Sequence, residues 1–223
     1  MLPTSGLARL RLARCDIGAE GAAALAAAMR GCDTLTHLFL EGNGRLGDEG
    51  AKALAEAFTA HAAVTEGPRL AVLDVGECGI TATGAAALLC TGGAASLSLF
   101  GNSVAAGAGG ALLAAALGGS GQRMTHLNIS GTGLAAEGAA ALTAALLAGA
   151  APALCTIELG ANPVRAACFH TFIHAHSLVP MCVVQLAQAE EWPALLQVLR
   201  DGRPDLDIAW RAADPGEQGA QRP

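Results

Sequence analysis

An eleven-residue frame recurs along the chain and constrains the fold more than any other feature of the sequence. In residues 124–134 apolar side chains occupy the first, fourth, sixth and eleventh positions of the frame, namely Met124, Leu127, Ile129 and Leu134. Further copies begin at Leu7, Leu35, Leu70, Ala94 and Leu154, and the second copy carries one inserted residue, Arg45. The recurrence of one frame in register indicates a stack of similar structural units.

The ninth position of the frame holds a residue that can hydrogen-bond from a buried site: Cys15, Asn43, Cys78, Asn102, Thr132 and Asn162. A buried amide can satisfy backbone groups that a turn leaves unpaired, and a buried thiol is a weak donor. The alternation of polar and apolar residues at positions three to six predicts a short strand with one buried face. A Gly/Ala-rich helix follows in most copies, and stacking the units builds one continuous core.

This pattern, L-x-x-L-x-L-x-x-N/C-x-L, resembles the leucine-rich repeat. With its Gly/Ala-rich helices it is similar to the ribonuclease-inhibitor type, which also occurs in NOD-like receptors and Ran GTPase-activating proteins. The resemblance covers roughly residues 7–165. It implies an α/β leucine-rich-repeat solenoid, a horseshoe segment with a parallel concave sheet inside and helices outside.

Three regions are predicted along the chain. Residues 1–165 form the array of about six repeats, residues 166–211 a C-terminal cap, and residues 212–223 a polar, disordered tail. Within the cap, a last strand or short helix is predicted at 181–187, and two tryptophans would cover the last repeat. Helices after the second to fifth frames are predicted near 48–61, 82–91, 105–117 and 135–149.

Composition narrows the function classes. The net charge of −6 and the pI near 5.4 leave no large basic field, so nucleic acid is not an expected partner. The seven cysteines are odd in number and contain no C-x-x-C, which favours a reducing intracellular, cytoplasmic location. Residues 78–122 carry no charge, but Gly, Asn, Ser and Thr interrupt them, so no membrane span is expected.

The amino-terminal segment has two interpretations. Residues 1–14 contain three arginines and no acid, as a mitochondrial transit peptide does, but Leu7, Leu10 and Leu12 fit the repeat register and predict a first strand. Such a strand would lie at an open edge of the sheet. Two hypotheses follow: a protein partner covers this edge, or the chain belongs to a longer array.

Three motifs suggest chemistry but have simpler structural explanations. The residues Gly42-Asn-Gly-Arg-Leu-Gly47 match G-x-G-x-x-G, yet Asn43 is already position nine of a repeat. His170, His174 and His176 have a spacing that metal ligands use, but a surface-exposed capping helix explains them as well. Arg45 is the position that would act if the chain, like Ran activators, stimulated a GTPase. We expect no catalytic residues, no metal and no cofactor.

The best candidate site is the concave face, to which positions three and five point. We predict that a protein partner contacts the polar, charged and aromatic residues there or just beyond: Arg9, Arg11, His37, Phe39, Asp74, Ser98, Phe100, His126, Asn128 and Glu158. Exposed aromatics such as Phe39 and Phe100 can anchor an interface. The predicted function is a non-catalytic scaffold or regulatory subunit. The alternatives are GTPase activation and a structural role in a large assembly.

Overall fold

The computed structural model describes residues 6–30, 32, 34–62, 70–120, 123–162 and 183–185. Short strands and helices alternate along this part of the chain. The strands are β1 (Arg9–Arg11), β2 (His37–Phe39), β3 (Leu70–Asp74), β4 (Ala94–Ser98), β5 (His126–Asn128), β6 (Thr156–Glu158) and β7 (Val183–Gln185). The helices are α1 (Ala19–Met29), α2 (Gly47–Ala62), α3 (Ala82–Cys90), α4 (Gly109–Ser120) and α5 (Ala136–Leu147).

The strands form one parallel sheet whose spatial order is the chain order, β1 to β7. The register places equal frame positions side by side, so that Leu38 of β2 is level with Leu10 of β1 and with Leu73 of β3. Successive helices pack against one another in the same order. The predicted α/β solenoid, a parallel sheet backed by helices, is therefore confirmed.

The fourth and sixth frame positions supply the core between the sheet and the helices. Leu38, Leu73 and Leu127 expose at most 1% of their surface. In the first copy, by contrast, Leu10 is only half-buried and Leu7 is 44% exposed. The difference arises because β1 is the terminal strand of the sheet within the described residues.

Asparagine at position nine ties each even-numbered copy to the copy before it. The Oδ1 atom of Asn102 accepts the N–H groups of Cys78 at 2.9 Å and Ile80 at 3.0 Å. Its Nδ2 atom donates to the carbonyls of Val75 at 2.8 Å and Leu99 at 3.0 Å. Asn43 and Asn162 make the equivalent bonds. The predicted role of the position-nine amide is confirmed.

The odd-numbered copies use weaker or more local bonds at position nine. The buried Cys78 thiol donates to the Leu40 carbonyl at 3.1 Å, and burial raises its pKa to about 11, so it stays a neutral donor near pH 7. The Thr132 hydroxyl donates to Ile129 of its own copy at 2.7 Å. The prediction that position nine is buried is wrong for Cys15, which is exposed because no described strand flanks β1 on its outer side.

The helix boundaries agree with the sequence except at α4. This helix begins at Gly109 and not near residue 105, because Ala105 donates its N–H to Thr132 of the next copy and Gly107 adopts a φ of +56°. It also extends through Ser120, beyond the predicted end near residue 117. The turn at residues 105–108 thus takes the place of the predicted first helical turn.

Glycine lets neighbouring helices approach closely. A Cβ atom added at Gly110 of α4 would overlap the Cα of Gly138 in α5. The close contact of these two backbones explains why small residues lie at the start of both helices.

The start of α2 is joined to the start of α3 by one carboxylate. Asp48 accepts hydrogen bonds from the N–H and the hydroxyl of Thr81, at 2.8 and 2.6 Å, and from the N–H of Gly84 at 3.1 Å. These donors belong to the first turn of α3 and its N-cap residue, where backbone N–H groups lack helical partners. Asp48 therefore caps the helix of the next copy.

The carboxyl-terminal predictions lie mostly outside the described residues. Within the predicted 181–187 element, β7 is a strand that pairs with β6. The remainder of the cap, its tryptophans, the tail and the histidine cluster at residues 170–176 are outside the described residues, and those predictions stay predictions.

We predict that Asn102→Ala lowers the free energy of unfolding by about 3–5 kcal/mol, because it leaves several buried backbone groups without partners. Urea unfolding followed by circular dichroism measures the change. Asn128→Ala is the matched control, since Asn128 forms only a local bond to the Ser130 N–H in the structure. Equal losses in the two variants would contradict the role assigned to position nine.

The stability of the protein should depend on pH through the Asp48 carboxylate. Burial tends to raise the pKa of Asp48, but the hydrogen bonds from Thr81 and Gly84 outweigh it and lower the pKa below 3.8. The ionised Asp48 carboxylate therefore stabilises the fold fully above its pKa in the unfolded chain. This stabilisation is lost as the pH falls through the lower pKa of the folded chain. Between about pH 6 and about pH 3, the melting temperature of the wild type should fall further than that of Asp48→Asn. Parallel acid sensitivity of both proteins would refute this assignment.

Candidate protein-binding surface

Two rows of side chains cross the concave face of the sheet, perpendicular to the strands. Position three contributes Arg9, His37, Val72, Ser96, His126 and Thr156, and position five contributes Arg11, Phe39, Asp74, Ser98, Asn128 and Glu158. Each of these side chains is half-buried or exposed. Phe100 follows β4 at position seven and is 43% exposed. The structure thus places nine of the ten predicted contact residues in the two rows and the tenth at their border.

Phe39 is less exposed than the sequence suggests. The Arg11 guanidinium lies 4.8 Å from the centroid of the Phe39 ring, and the His37 ring stacks on the same phenylalanine at 6.4 Å. The cation–π contact covers part of the ring and limits the orientations available to Arg11. Phe39 therefore organises its neighbours, while Phe100 is the exposed aromatic of this surface.

Two histidines on this face are oriented by the threonines that precede them. The Thr36 hydroxyl donates to the Ala8 carbonyl at 3.0 Å, so it can accept a hydrogen bond from Nδ1–H of His37 at 2.8 Å. Thr125 and His126 repeat this arrangement in the fifth copy, with 3.1 and 2.9 Å. Among the described residues no hydrogen bond to Nε2 of either histidine is present, so Nε2 can contact a partner.

Asp74 and Asn128 have a structural role that the sequence analysis missed. Asp74 Oδ1 accepts the N–H of Gly76 at 3.0 Å, and Asn128 Oδ1 accepts the N–H of Ser130 at 2.9 Å. Each side chain therefore closes the turn at the end of its own strand. Asx residues two positions before a turn are the signal that reveals this role. A partner would contact the second oxygen of Asp74 or the amide nitrogen of Asn128.

Position eight of the frame adopts left-handed backbone geometry in all six copies, with φ between +52° and +75°. Three copies have glycine there, whereas Arg14, Glu77 and Ala161 carry side chains in a conformation that favours glycine. The Arg14 stem lies against Gly42 of the next copy, and the Glu77 stem lies against Gly101. Arg14 and Glu77 extend the candidate surface beyond the strands. The sequence signal for Arg14 and Glu77 was a charged residue at position eight, where three other copies have glycine.

The glycine motif, which includes Arg45, spans the loop after β2 and the first residue of α2. Arg45 forms an exposed ion pair with Asp16 at 3.2 Å, and Asn43 is fully buried in its repeat. These contacts support the structural interpretation of the G-x-G-x-x-G match. GTPase activation and a role in a large assembly remain untested predictions. Across the described ranges, no cluster of His, Cys, Asp and Glu has the geometry of a metal site.

The family comparison agrees with this geometry. The family model described as Leucine Rich repeat matches residues 7–26, 31–55, 70–89 and 123–142. The four matched segments carry the leucine-rich repeat. Proteins with this repeat typically provide non-catalytic modules for protein–protein interaction, and their repeats present an extended concave surface. No curated protein matches the chain. None of the described helices combines the length and hydrophobicity that a membrane span requires.

We predict that the left-handed backbone at Glu77 stores strain. Glu77→Gly should be more stable than Glu77→Ala by about 1 kcal/mol, because only glycine adopts this conformation without cost. Both variants lack the carboxylate, so the pair isolates the backbone contribution in a thermal or urea unfolding measurement. At Glu137, an exposed residue of the first turn of α5, the same two substitutions should show the opposite order. If alanine were the more stable at position 77, the strain would be absent.

Proposed function

We propose that this leucine-rich-repeat protein is a non-catalytic intracellular scaffold or regulatory subunit that binds a protein partner on its concave face. The observation that carries the proposal is the register of the sheet. Because equal frame positions lie side by side, two rows of solvent-reaching side chains run across β1 to β6. Such a surface suits an extended interface, in which many modest contacts add up.

The chemistry of the rows supports a protein partner. Phe100 offers an exposed aromatic anchor, and the stacked Arg11 and Phe39 supply the residue types that often dominate interface energies. Arg11 lies at the β1 end of the position-five row, beside Arg9 of the position-three row. Asp74 and Glu158 lie further along the position-five row. This separation of charge would orient a bound partner and reject the reverse orientation.

The finer assignments are part of the same proposal. The alternation of asparagine with cysteine or threonine at position nine, together with the long helices, supports the ribonuclease-inhibitor-like type. The absence of a C-x-x-C and the odd cysteine count of the sequence support a reducing, cytoplasmic location.

Phe39→Ala/Asp74→Ala should lose a partner that the wild type captures by affinity purification from native cells, read out by mass spectrometry. The double variant removes the ring that supports Arg11 and one carboxylate of the second row. Leu112→Ala/Glu56→Ala is the matched control, since it removes an exposed apolar and an exposed acidic residue from the helical side.

Because Asp74 also closes a turn, a second variant separates binding from folding. Ser96→Arg adds bulk in the middle of the face and removes none of the hydrogen bonds described above. Loss of the same partner in both face variants, with retention in the helical control, supports the proposal. A partner that binds all variants equally places function elsewhere on the chain.

A further inference from the structure

We infer that the amino-terminal end of the concave face binds an acidic segment of a protein partner. The inference rests on the proposed function and names the chemistry of one part of that surface. The binding residues are Arg9, Arg11 and Arg14, which together form the arginine cluster. The geometry of the three side chains makes this end a defined anion-binding surface.

The three arginines of the cluster are exposed and close together. Arg9 and Arg11 occupy alternate positions of β1 and therefore point to the same, concave face. Arg14 follows three residues later, at the strained position eight, with its stem against Gly42. The ion pairs among the described residues use Arg45 and Lys52, so no described carboxylate forms an ion pair with the cluster. Such a concentration of positive charge is unusual in a chain with a net charge of −6.

Arg11 is oriented for binding before a partner arrives. Its guanidinium lies over the Phe39 ring at 4.8 Å, and stacking leaves the N–H groups at the edge of the guanidinium free. A guanidinium held in one orientation can bind a carboxylate with two parallel hydrogen bonds and loses less side-chain entropy. Beside it, Thr36 accepts from Nδ1–H of His37, so that tautomer presents Nε2 as an acceptor for a backbone N–H of the bound segment. A carboxylate-bearing segment therefore meets several oriented polar groups at once.

The surrounding charges limit how long the anionic segment can be. Phe39 separates Arg11 from Asp74 in the second row, and Glu41 and Glu77 follow β2 and β3 by two and three residues. Neighbouring strands are about 4.8 Å apart, so these carboxylates lie roughly 5–15 Å from the cluster, comparable with the Debye length in physiological salt. A nucleic acid with its continuous phosphate charge would approach these carboxylates, whereas a short acidic stretch of protein would not.

The test uses a fluorescein-labelled synthetic peptide with glutamates at alternate positions and small polar residues between them. Fluorescence anisotropy should show binding to the wild-type chain that weakens as salt is added. Arg9→Glu/Arg11→Glu should weaken it roughly tenfold or more. Arg30→Glu/Arg123→Glu is the matched control, because it changes the formal charge equally at exposed residues outside the strands. Its affinity should stay within about twofold of the wild type.

A photo-crosslinking group on the same peptide locates the bound segment, and labelled residues should lie within 9–14 and 37–39. Thermal melts of both charge-reversal variants show that they remain folded, and neutral Arg9→Gln/Arg11→Gln provides a milder second variant. The inference is overturned if the wild type does not bind the acidic peptide at low salt. Equal weakening in the two charge-reversal variants overturns it as well, as does equally tight binding of an oligonucleotide of the same charge.

The outcomes distinguish this inference from the proposed function. A native partner that is lost with Ser96→Arg but retained with Arg9→Glu/Arg11→Glu leaves the concave face as the binding surface and overturns only the acidic-segment assignment. A native partner that Ser96→Arg retains contradicts the proposed function, whatever the acidic peptide does.

Discussion

The regularity of this solenoid depends on the hydrogen bonds of the position-nine asparagines. At the end of each short strand the chain turns toward its helix, and the turn leaves backbone donors and acceptors buried without partners. One amide side chain accepts two N–H groups of the previous copy and donates to carbonyls in both copies. Because an unpaired buried polar group is costly, this amide holds adjacent turns at one spacing and so holds the strands in register.

The hydrogen bonds of the position-nine asparagines divide the array into pairs of copies. Asn43 joins the first and second copies, Asn102 the third and fourth, and Asn162 the fifth and sixth. Between pairs, Cys78 contributes a thiol bond to Leu40, and the Asp48 carboxylate joins the second helix to the third. Thr132 bonds mainly within its own copy, so the fourth and fifth copies depend more on helix packing, including the close approach of Gly110 and Gly138.

Most of the architecture could be predicted from the sequence, because the frame repeats and the same positions are apolar in each copy. The strands, the buried apolar positions and the two outward rows follow from a period of two within a repeat. What could not be predicted depends on contacts between copies. Phe39 is partly covered because Arg11 of the neighbouring strand stacks on it, and α4 starts late because Ala105 bonds to the next repeat. The turn that Asp74 closes lies within its own copy, and its position two residues before Gly76 was the signal for this role.

The charged residues at position eight link the scaffold to its surface. The repeat accepts glycine there without strain, as Gly42 and Gly101 show, yet Arg14 and Glu77 adopt the same left-handed geometry. Each side chain lies over the glycine of the next copy, so glycine in one repeat makes room for a charged group from the repeat before it. Strain retained at an exposed position, where stability does not require it, is typical of residues kept for function. The opposite charges of Arg14 and Glu77, two copies apart, give the border of the concave face the same polarity as its rows.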